Sequence, residues 1–202
     1  MKTCLFLFLI LSSISLCAQT QEDLIKEIEA HQGAENEKFS NLETTILGKK
    51  DLKAFKGLEF YAVDLKYRVE ANFIRTPNEQ PFLMKTSTTR LPEYVKYGEV
   101  HFEIDGKALQ LNVYQSTTPS EDPEYVDYLF LPFTDLTSGD GSYGGGRFLD
   151  TYIPESTTMI LDFNKAYNPY CAYSPNYSCP IPPKENDLMV RIEAGVKDYV
   201  KL

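Results

Sequence analysis

The stretch from residue 135 to residue 186 holds most of the side chains in this chain that could do chemistry. It combines glycines, prolines and aromatic residues with aspartates, asparagines, two cysteines and one arginine. Loops with constrained backbone geometry are common at binding and catalytic sites. We therefore predict a ligand-binding site formed by the loops 135–147 and 168–186. Its candidate residues are Asp135, Tyr143, Arg147, Asp162, Asn164, Asn168, Tyr173, Glu185 and Asn186.

Arg147 follows three consecutive glycines at 144–146. Glycines let backbone N–H groups approach a ligand closely, and a guanidinium group suits a carboxylate or a phosphate. One interpretation is therefore a loop that binds a small polar or anionic ligand. The other is a tight turn whose arginine pairs with Asp135, Asp150 or Asp162, as in the structural ion-pair networks of β proteins. The loop lacks the Lys-Ser/Thr pair of a phosphate-binding P-loop, which favours the structural interpretation.

The sequence spells out neither a metal site nor a catalytic site. The run 135–140 (DLTSGD) lacks the Asp-x-Asp-x-Asp-Gly core and the distal glutamate of a calcium loop, so hydrogen bonds within a turn explain it equally well. His101 is the one plausible catalytic base for a hydrolase triad. It lies within a predicted strand, and the chain has no G-x-S-x-G nucleophile motif, so the sequence favours an ordinary strand histidine. An enzyme would be a carboxylate-based hydrolase that uses Asp162 or Glu185, with Arg147 as electrostatic stabiliser. We predict no metal and no cofactor, and the catalytic residues stay unknown.

Cys171 and Cys179 lie eight residues apart in a loop rich in tyrosine, proline and asparagine. In an exported protein the expected outcome is a disulfide bond that holds the local shape of residues 168–183. A redox-active or metal-binding pair is the alternative, but the spacing is not Cys-x-x-Cys and no histidine lies nearby. We predict the disulfide.

Residues 1–18 have the layout of a secretory signal peptide. A short basic start is followed by the apolar run 4–11 (CLFLFLIL) and by small, weakly polar residues at 12–18 (SSISLCA). We predict cleavage after Ala18 and export to the periplasm or the exterior. A lipoprotein anchored at Cys17 is the alternative, although Leu16 stands where a lipobox has a small residue.

The remaining residues, 19–202, are enough for a single domain and have an acidic balance. Without Lys2 the chain carries 19 basic and 29 acidic side chains, a net charge of −10. This charge repels phosphate backbones and anionic lipid head groups, which argues against nucleic acid and membrane-surface partners. No further segment has the roughly 18 apolar residues that a membrane-spanning helix needs.

The elements that must position the candidate residues are mainly strands. Residues 20–47 show a helical apolar stripe that Gly33 interrupts, which predicts two short helices or a helix and a turn. His31 is expected to be a solvated residue of this helical region. From Glu59 onward apolar residues alternate with polar ones, as in half-buried strands, and Asp105-Gly106 marks a hairpin turn. Eight to ten short strands, the last at 188–194, predict a mainly β fold. We expect an antiparallel β-sandwich or barrel-like domain with a short helical N-terminal segment.

Three runs of the chain resemble one known family. They read YRVEANF, LPFTDLTSGDGSYGGGRFLD and LDFNKAYNPYCAYSPNYSCPIPPKENDLMVRIEAGVK. These runs are similar to the domain of unknown function DUF1684, and the resemblance implies a short, exported bacterial member over nearly all of residues 19–202. It implies no established activity. The signature positions by this resemblance are Asp135, Thr137, Gly139, Tyr143, Gly145, Gly146, Arg147, Asp162, Asn164, Asn168, Pro169, Cys171, Tyr173, Cys179, Pro180, Pro182 and Asn186.

Three functions stay open at this point. A binding module would bring side chains of the two loops together around a small polar or anionic ligand, which would stabilise the fold. An enzyme would lose a pH-dependent activity when Asp162 or Glu185 is replaced. A purely structural motif would have an arginine that is neutralised by its own aspartates. We rank binding first, a structural role second and catalysis third.

Overall fold

The computed structural model describes residues 19–118 and 120–199. The predicted signal peptide, residues 1–18, lies outside the described residues. Within this range two α-helices and seven strands follow one another along the chain. They are α1 (Gln21–Ser40), α2 (Lys49–Ala54), β1 (Arg68–Arg75), β2 (Phe82–Leu83), β3 (Glu93–Ile104), β4 (Lys107–Ser116), β5 (Tyr128–Phe133), β6 (Arg147–Tyr152) and β7 (Thr158–Asp162).

The strands form one antiparallel sheet in the order β6-β5-β4-β3-β1-β7. The short strand β2 also pairs with β3 but is not part of this order. The sheet curls into a half-barrel, which confirms the predicted mainly β, barrel-like class with a helical N-terminal segment. Its two edge strands, β6 and β7, approach each other without pairing in the described range. The half-barrel therefore has an open seam.

The turn between β3 and β4 forms where the sequence predicts it. Asp105 and Gly106 have φ angles of 50° and 74°, the left-handed conformation that a type I′ hairpin turn requires at both central positions. Ile104 pairs with Lys107 directly beside the turn. Aspartate and glycine tolerate this conformation well, so two residues fix the register of the β3–β4 pair.

The main core lies on the inner face of the half-barrel. Strands β3, β4 and β5 contribute alternate side chains to it, as the pleat of a strand requires. The C-terminal segment adds every second residue as well. The members from these four segments are Val100, Phe102, Ile104, Leu111, Val113, Leu129, Leu131, Phe133, Leu188, Val190, Ile192 and Ala194.

The predicted last strand at 188–194 is wrong, although its burial alternates as in a strand. In the middle of this segment the polar backbone groups bond to side chains instead of a neighbouring strand. The N–H of Ile192 donates to Asp135 at 2.7 Å, and Arg147 donates to the carbonyl oxygens of Ile192 and Ala194. The buried Asp135–Arg147 pair thus satisfies backbone N–H and carbonyl groups that hydrogen bonds to a neighbouring strand would otherwise satisfy.

Helix α1 is continuous, so the predicted interruption at Gly33 is wrong. Thr20 and Asp23 form a capping box, in which the Thr20 hydroxyl accepts from the Asp23 N–H at 3.1 Å. Gly33 is exposed, and a glycine there costs only about 1 kcal/mol relative to alanine. The burial of Ile28 and the hydrogen bond from the Leu58 N–H to the Asn36 side chain (2.6 Å) hold the helix against the domain.

A second apolar cluster covers the outer face of the sheet. Phe130 of β5 and Phe148 of β6 meet edge to face, with ring centroids 4.7 Å apart. The segment 167–180 packs over them, and the ring of Tyr167 lies 5.9 Å from that of Phe148. Helix α1 runs alongside this segment, and the space between them and the sheet is a cleft.

Candidate functional site

Arg147 is fully buried, with 0% of its surface exposed. Its Nη2 donates to the Ile192 carbonyl at 2.8 Å and lies 3.2 Å from Asp135 Oδ1. Its Nη1 donates to the carbonyl oxygens of Ala194 and, at 3.4 Å, Val196. Burial lowers the pKa of Arg147, and the neighbouring Asp135 opposes that shift. The guanidinium group joins β6 to the C-terminal segment and is closed to solvent.

Asp135 completes the same network. Its carboxylate accepts hydrogen bonds from the Thr137 hydroxyl (2.8 Å) and from the N–H of Ile192 (2.7 Å). The preceding glycine run has a packing role, because Gly146 has a φ of 86° and a Cβ there would lie 2.6 Å from the Phe133 carbonyl oxygen. This geometry corresponds to the structural interpretation of the glycine–arginine loop.

Two other predicted residues, Asn164 and Asn186, are buried and bonded to distant backbone. Asn164 bonds the N–H and the carbonyl of Asp64, both at 3.0 Å. Asn186 bonds the N–H and the carbonyl of Asn112 at 2.8 and 2.9 Å. Each amide side chain supplies both partners that a strand neighbour would supply, so both residues hold loops in place.

The predicted carboxylates Asp162 and Glu185 do not meet in one cavity. Glu185 is exposed on the surface. Asp162 accepts a hydrogen bond from the Asn164 N–H at 3.1 Å, and its Oδ2 lies 3.7 Å from Arg68 Nε. The predicted residues that line neither of the two cavities described below are Asp135, Tyr143, Arg147, Asn164, Glu185 and Asn186.

The predicted disulfide is not formed, since Cys171 and Cys179 are both free thiols. The two residues are neighbours nonetheless, because the Cys171 N–H donates to the Sγ of Cys179 at 3.2 Å. The shape that we expected the disulfide to hold is supported by backbone bonds to another segment. The N–H of Ser87 donates to the Cys179 carbonyl, and the N–H of Ile181 donates to the Lys85 carbonyl, both at 2.8 Å.

The tyrosine cleft, as we call it, is a cavity of about 450 Å³ between α1, the outer face of β5 and β6, and the segment 165–180. Aromatic residues are the largest group in its lining. Two predicted residues, Asn168 and Tyr173, belong to it. Its aromatic residues are Phe39, Phe60, Tyr94, Tyr125, Tyr128, Phe130, Phe148, Tyr167, Tyr170 and Tyr173.

Asp150, on strand β6, is a carboxylate of the tyrosine cleft that has no ion-pair partner among the described residues. Its Oδ1 accepts hydrogen bonds from the hydroxyl groups of Tyr128 (2.7 Å) and Tyr167 (2.6 Å). Burial raises the pKa of both tyrosines, and the carboxylate raises it further, so both hydroxyl groups stay protonated. Asp150 is exposed, and its Oδ2 accepts no hydrogen bond from the part of the chain that the structure describes. One oxygen is held in place and the other is available to a ligand.

The seam cavity, of about 300 Å³, lies between the edge strands β6 and β7. Residues 149–151 and 160–162 form its two sides, and Arg68 of β1 also lines it. The predicted residue Asp162 belongs to this cavity. Four residues line both the seam cavity and the tyrosine cleft, so the two cavities adjoin: His31, Asp150, Lys165 and Tyr167.

His31 is half-buried where the two cavities meet, so the expectation of a solvated position is wrong. Burial lowers the pKa of His31, with Glu35 acting in the opposite direction, and the imidazole is therefore neutral at pH 7. The helical pattern contains no signal for this placement, because the residues that line both cavities with His31 (Asp150, Lys165 and Tyr167) come more than 110 residues later in the chain.

Residues 19–118 and 120–199 were compared with the requirements of a metal site and of a membrane-spanning helix. No three side chains of His, Cys, Asp or Glu are grouped there to hold a metal ion. Neither helix in that part of the chain has the length and apolar character needed to cross a membrane.

The fold and the cavities define a half-barrel domain with an aromatic cleft on its outer face. The chain belongs to the family described as Protein of unknown function (DUF1684), whose model matches residues 53–197. It is similar to the solution NMR structure of an uncharacterized protein from Haloarcula marismortui, with 29% sequence identity and a TM-score of 0.67. That match covers 87% of this chain and 95% of the other. No curated protein matches the chain.

Proposed function

We propose that this protein binds a small polar ligand in the tyrosine cleft. The observation that carries the proposal is the carboxylate of Asp150, with one oxygen fixed by the hydroxyl groups of Tyr128 and Tyr167 and the other without a donor among the described residues. Ligand sites are concave, largely apolar and provided with a few fixed polar groups, and typical volumes run from about 300 to about 1,000 Å³. The cleft, at about 450 Å³, meets each criterion.

This proposal keeps one of the two predicted loops and replaces the other. The loop 168–186 supplies a wall of the cleft through Asn168, Tyr170 and Tyr173. The loop 135–147 lies elsewhere, and both terminal nitrogens of Arg147 are already bonded within the protein. The hydrolase alternative also loses support, because the surface position of Glu185 separates it from the cavity that Asp162 lines.

The test is a screen of small polar compounds, divided into neutral, cationic and anionic sets, by ligand-observed NMR. Hits are then titrated against wild type, Asp150→Asn and Glu185→Gln. Both variants change a carboxylate to an amide, but only Asp150 lines the cleft. We expect hits that bind wild type and Glu185→Gln equally and that bind Asp150→Asn about tenfold or more weakly, since a hydrogen bond to a charged group is lost.

Equal binding to all three proteins would contradict the proposal, and so would a screen without hits. Amide shifts of the ¹⁵N-labelled protein give an independent map of the site. They should move in α1, in β5, around Asp150 of β6 and in the segment 165–180, whereas Asp135 and Ile192, which bond Arg147, should stay unchanged.

We also propose that the protein is exported with residues 1–18 removed. The support is the three-part layout of the N-terminal sequence. The capping box of Thr20 and Asp23 needs none of these residues to start α1. The mass of the N-terminal peptide from protein expressed in a bacterial host checks this. A peptide that starts at Gln19 is expected, and a lipidated Cys17 or a retained Met1 would contradict it.

A further inference from the structure

We infer that the ligand is a neutral, polyhydroxylated molecule of the carbohydrate class, which extends from the tyrosine cleft into the seam cavity. This inference rests on the proposed function and goes further by naming the chemistry of the ligand. Three properties of the two cavities lead to it: the balance of their charges, the mixture of donors and acceptors, and the aromatic lining.

The charges that line the two cavities are almost all neutralised locally. Three of the four basic side chains have a carboxylate partner. The pairs are Lys38 with Glu35 (3.8 Å), Lys165 with Glu27 (2.6 Å) and Arg68 with Asp162 (3.7 Å). Arg90 and Asp150 have no ion-pair partner among the described residues, and they are opposite in sign. With His31 neutral, the four basic groups and their carboxylate counterparts, with Asp150, sum to zero net charge, so the site carries no excess charge that would select a cation or an anion.

The polar groups of Asp150, Arg90 and His31 favour a ligand that both donates and accepts hydrogen bonds. Asp150 Oδ2 can accept from a ligand, whereas the Arg90 guanidinium, which donates to the hydroxyl (3.4 Å) and carbonyl (2.9 Å) of Ser178, has further N–H groups that can donate to one. The neutral imidazole of His31 offers one donor and one acceptor. A hydroxyl group does both at once, so a ligand with several hydroxyl groups satisfies all three residues without carrying a charge.

The aromatic lining suits the rest of such a molecule. Sugar rings have apolar C–H faces, which pack on aromatic rings, while their hydroxyl groups point outward. Tyrosine combines an apolar ring with a polar end, as this requires. A strongly charged ligand fits less well: an anion would meet the carboxylate of Asp150, and a cation would meet Arg90.

Because the two cavities share lining residues, we expect a ligand of two or more linked sugar units. His31, Asp150, Lys165 and Tyr167 lie between the tyrosine cleft and the seam cavity, so one unit can occupy each side of them. Ile160 lines the seam cavity but not the tyrosine cleft, and it is 46% exposed. A larger side chain at this position therefore fills the seam cavity without disturbing the core.

The experiment is a titration of the full chain, purified as expressed, against an array of neutral mono-, di- and trisaccharides by saturation-transfer NMR and calorimetry. Choline and inorganic phosphate are the cationic and anionic comparisons. We expect a saccharide to bind, with an affinity unchanged between about 0.05 and about 0.5 M salt because a neutral ligand is not screened. Asp150→Asn should weaken that binding about tenfold or more, and Glu185→Gln should leave it unchanged.

The size of the ligand is tested with Ile160→Trp, after its melting temperature shows that it folds. This variant should weaken disaccharide binding and leave monosaccharide binding as in wild type. Equal effects on both would overturn the extension into the seam cavity. The absence of binding by every saccharide, or a stronger, salt-dependent affinity for choline or phosphate, would overturn the carbohydrate class.

The outcomes separate this inference from the proposed function. Compounds that bind in an Asp150-dependent manner while every saccharide fails would remove the inference and keep the function. Failure of every compound in both experiments would remove both.

Discussion

At the scale of single residues, Arg147 and Asp150 have opposite surroundings although both belong to β6. The terminal nitrogens of Arg147 are bonded to Asp135 and to carbonyl groups of the C-terminal segment, all of it buried. Asp150 has its Oδ1 bonded by two tyrosines and is otherwise exposed. The pleat explains the difference, since one side chain faces the inside of the half-barrel and the other faces the cleft.

Replacing Arg147 with methionine should destabilise the fold strongly. The change leaves Asp135 buried without its charge partner, and breaking a buried pair costs about 3–5 kcal/mol. In a domain of this size about 1 kcal/mol shifts the melting temperature by about 2–4 °C, so we expect a fall of about ten degrees. Arg191→Met is the matched control, because Arg191 bonds exposed Asp140 and Glu193 and should change the midpoint little. Equal shifts in calorimetry would show that the buried network is not what holds this segment.

The reduced thiol pair should show one reactive and one inert cysteine. The hydrogen bond from Cys179 lowers the pKa of Cys171 to about 6, burial opposes it, and the Tyr143 hydroxyl helps to lower it. Hydrogen bonding to Cys171 and burial raise the pKa of Cys179 above its usual value. Because the thiolate is the nucleophile, the alkylation rate of Cys171 should rise through a midpoint near pH 6, while Cys179 reacts slowly throughout.

Peptide mapping after timed iodoacetamide treatment of the reduced protein measures both rates. Cys179→Ala should move the midpoint of Cys171 upward, towards the usual value of about 8.5. Tyr143→Phe should move it in the same direction by a smaller amount, since Tyr143 contributes less than Cys179. A midpoint that is unchanged in Cys179→Ala would contradict the assigned cause.

At the scale of elements, α1 places His31 where the two cavities meet. The helix is held by the burial of Ile28 and by polar contacts such as Asn36 with Leu58. Packing against the sheet and the segment 165–180 removes water from the imidazole. Helix α1 therefore both shapes the cleft and carries the imidazole of His31, whose protonation is disfavoured in the folded state.

Acidification should weaken the folded state through His31. The folded-state pKa lies below the unfolded one, so the unfolded chain binds more protons between the two values. The contribution of the neutral imidazole is complete above about pH 6.5 and declines as the pH falls below it. Urea unfolding of wild type and His31→Gln between pH 8 and pH 5 measures this. The stability advantage of wild type should shrink towards acid, and a constant difference would contradict the prediction.

Some of these elements could be predicted from the sequence and others could not. The Asp105-Gly106 turn is local, so two residues suffice to predict it. The alternation at 188–194 predicts burial correctly, but it contains no information on whether the backbone partner is a strand or the side chain of Arg147. Local pattern therefore indicates which face is buried and leaves the bonding partner open.

The tyrosine cleft could not be predicted for a related reason. His31, Tyr128, Asp150 and Tyr167 come from four segments separated by up to 136 residues, and none of them is a signature position of the family resemblance. The two loops were predicted because their residue types are unusual. Unusual residues also serve to close a loop, as Asn186 does through its bonds to Asn112. Composition thus marks constrained backbone more reliably than it marks a ligand site.

At the scale of the whole molecule, the C-terminal segment completes a half-barrel that the sheet leaves open. The sheet ends at β6 and β7 without closing, so its inner face needs a further layer to exclude water. Leu188, Val190, Ile192 and Ala194 supply that layer from a segment that is not one of the strands of the described sheet. The segment is thus part of the core, and β6 keeps its place beside the cleft through Arg147.

Truncating Ile192 should therefore act on the whole domain. Its side chain is fully buried, and Ile→Ala changes in cores cost about 2–5 kcal/mol, which corresponds to a fall in melting temperature of about 4–20 °C. Met189→Ala is the matched control in the same segment, because Met189 is 74% exposed and its loss should shift the midpoint little. A single cooperative transition is expected for both, since the segment and the sheet share one core. If Ile192→Ala melted at the wild-type temperature, or showed a separate transition at lower temperature, the half-barrel would fold without this segment. The cleft would then not depend on the segment.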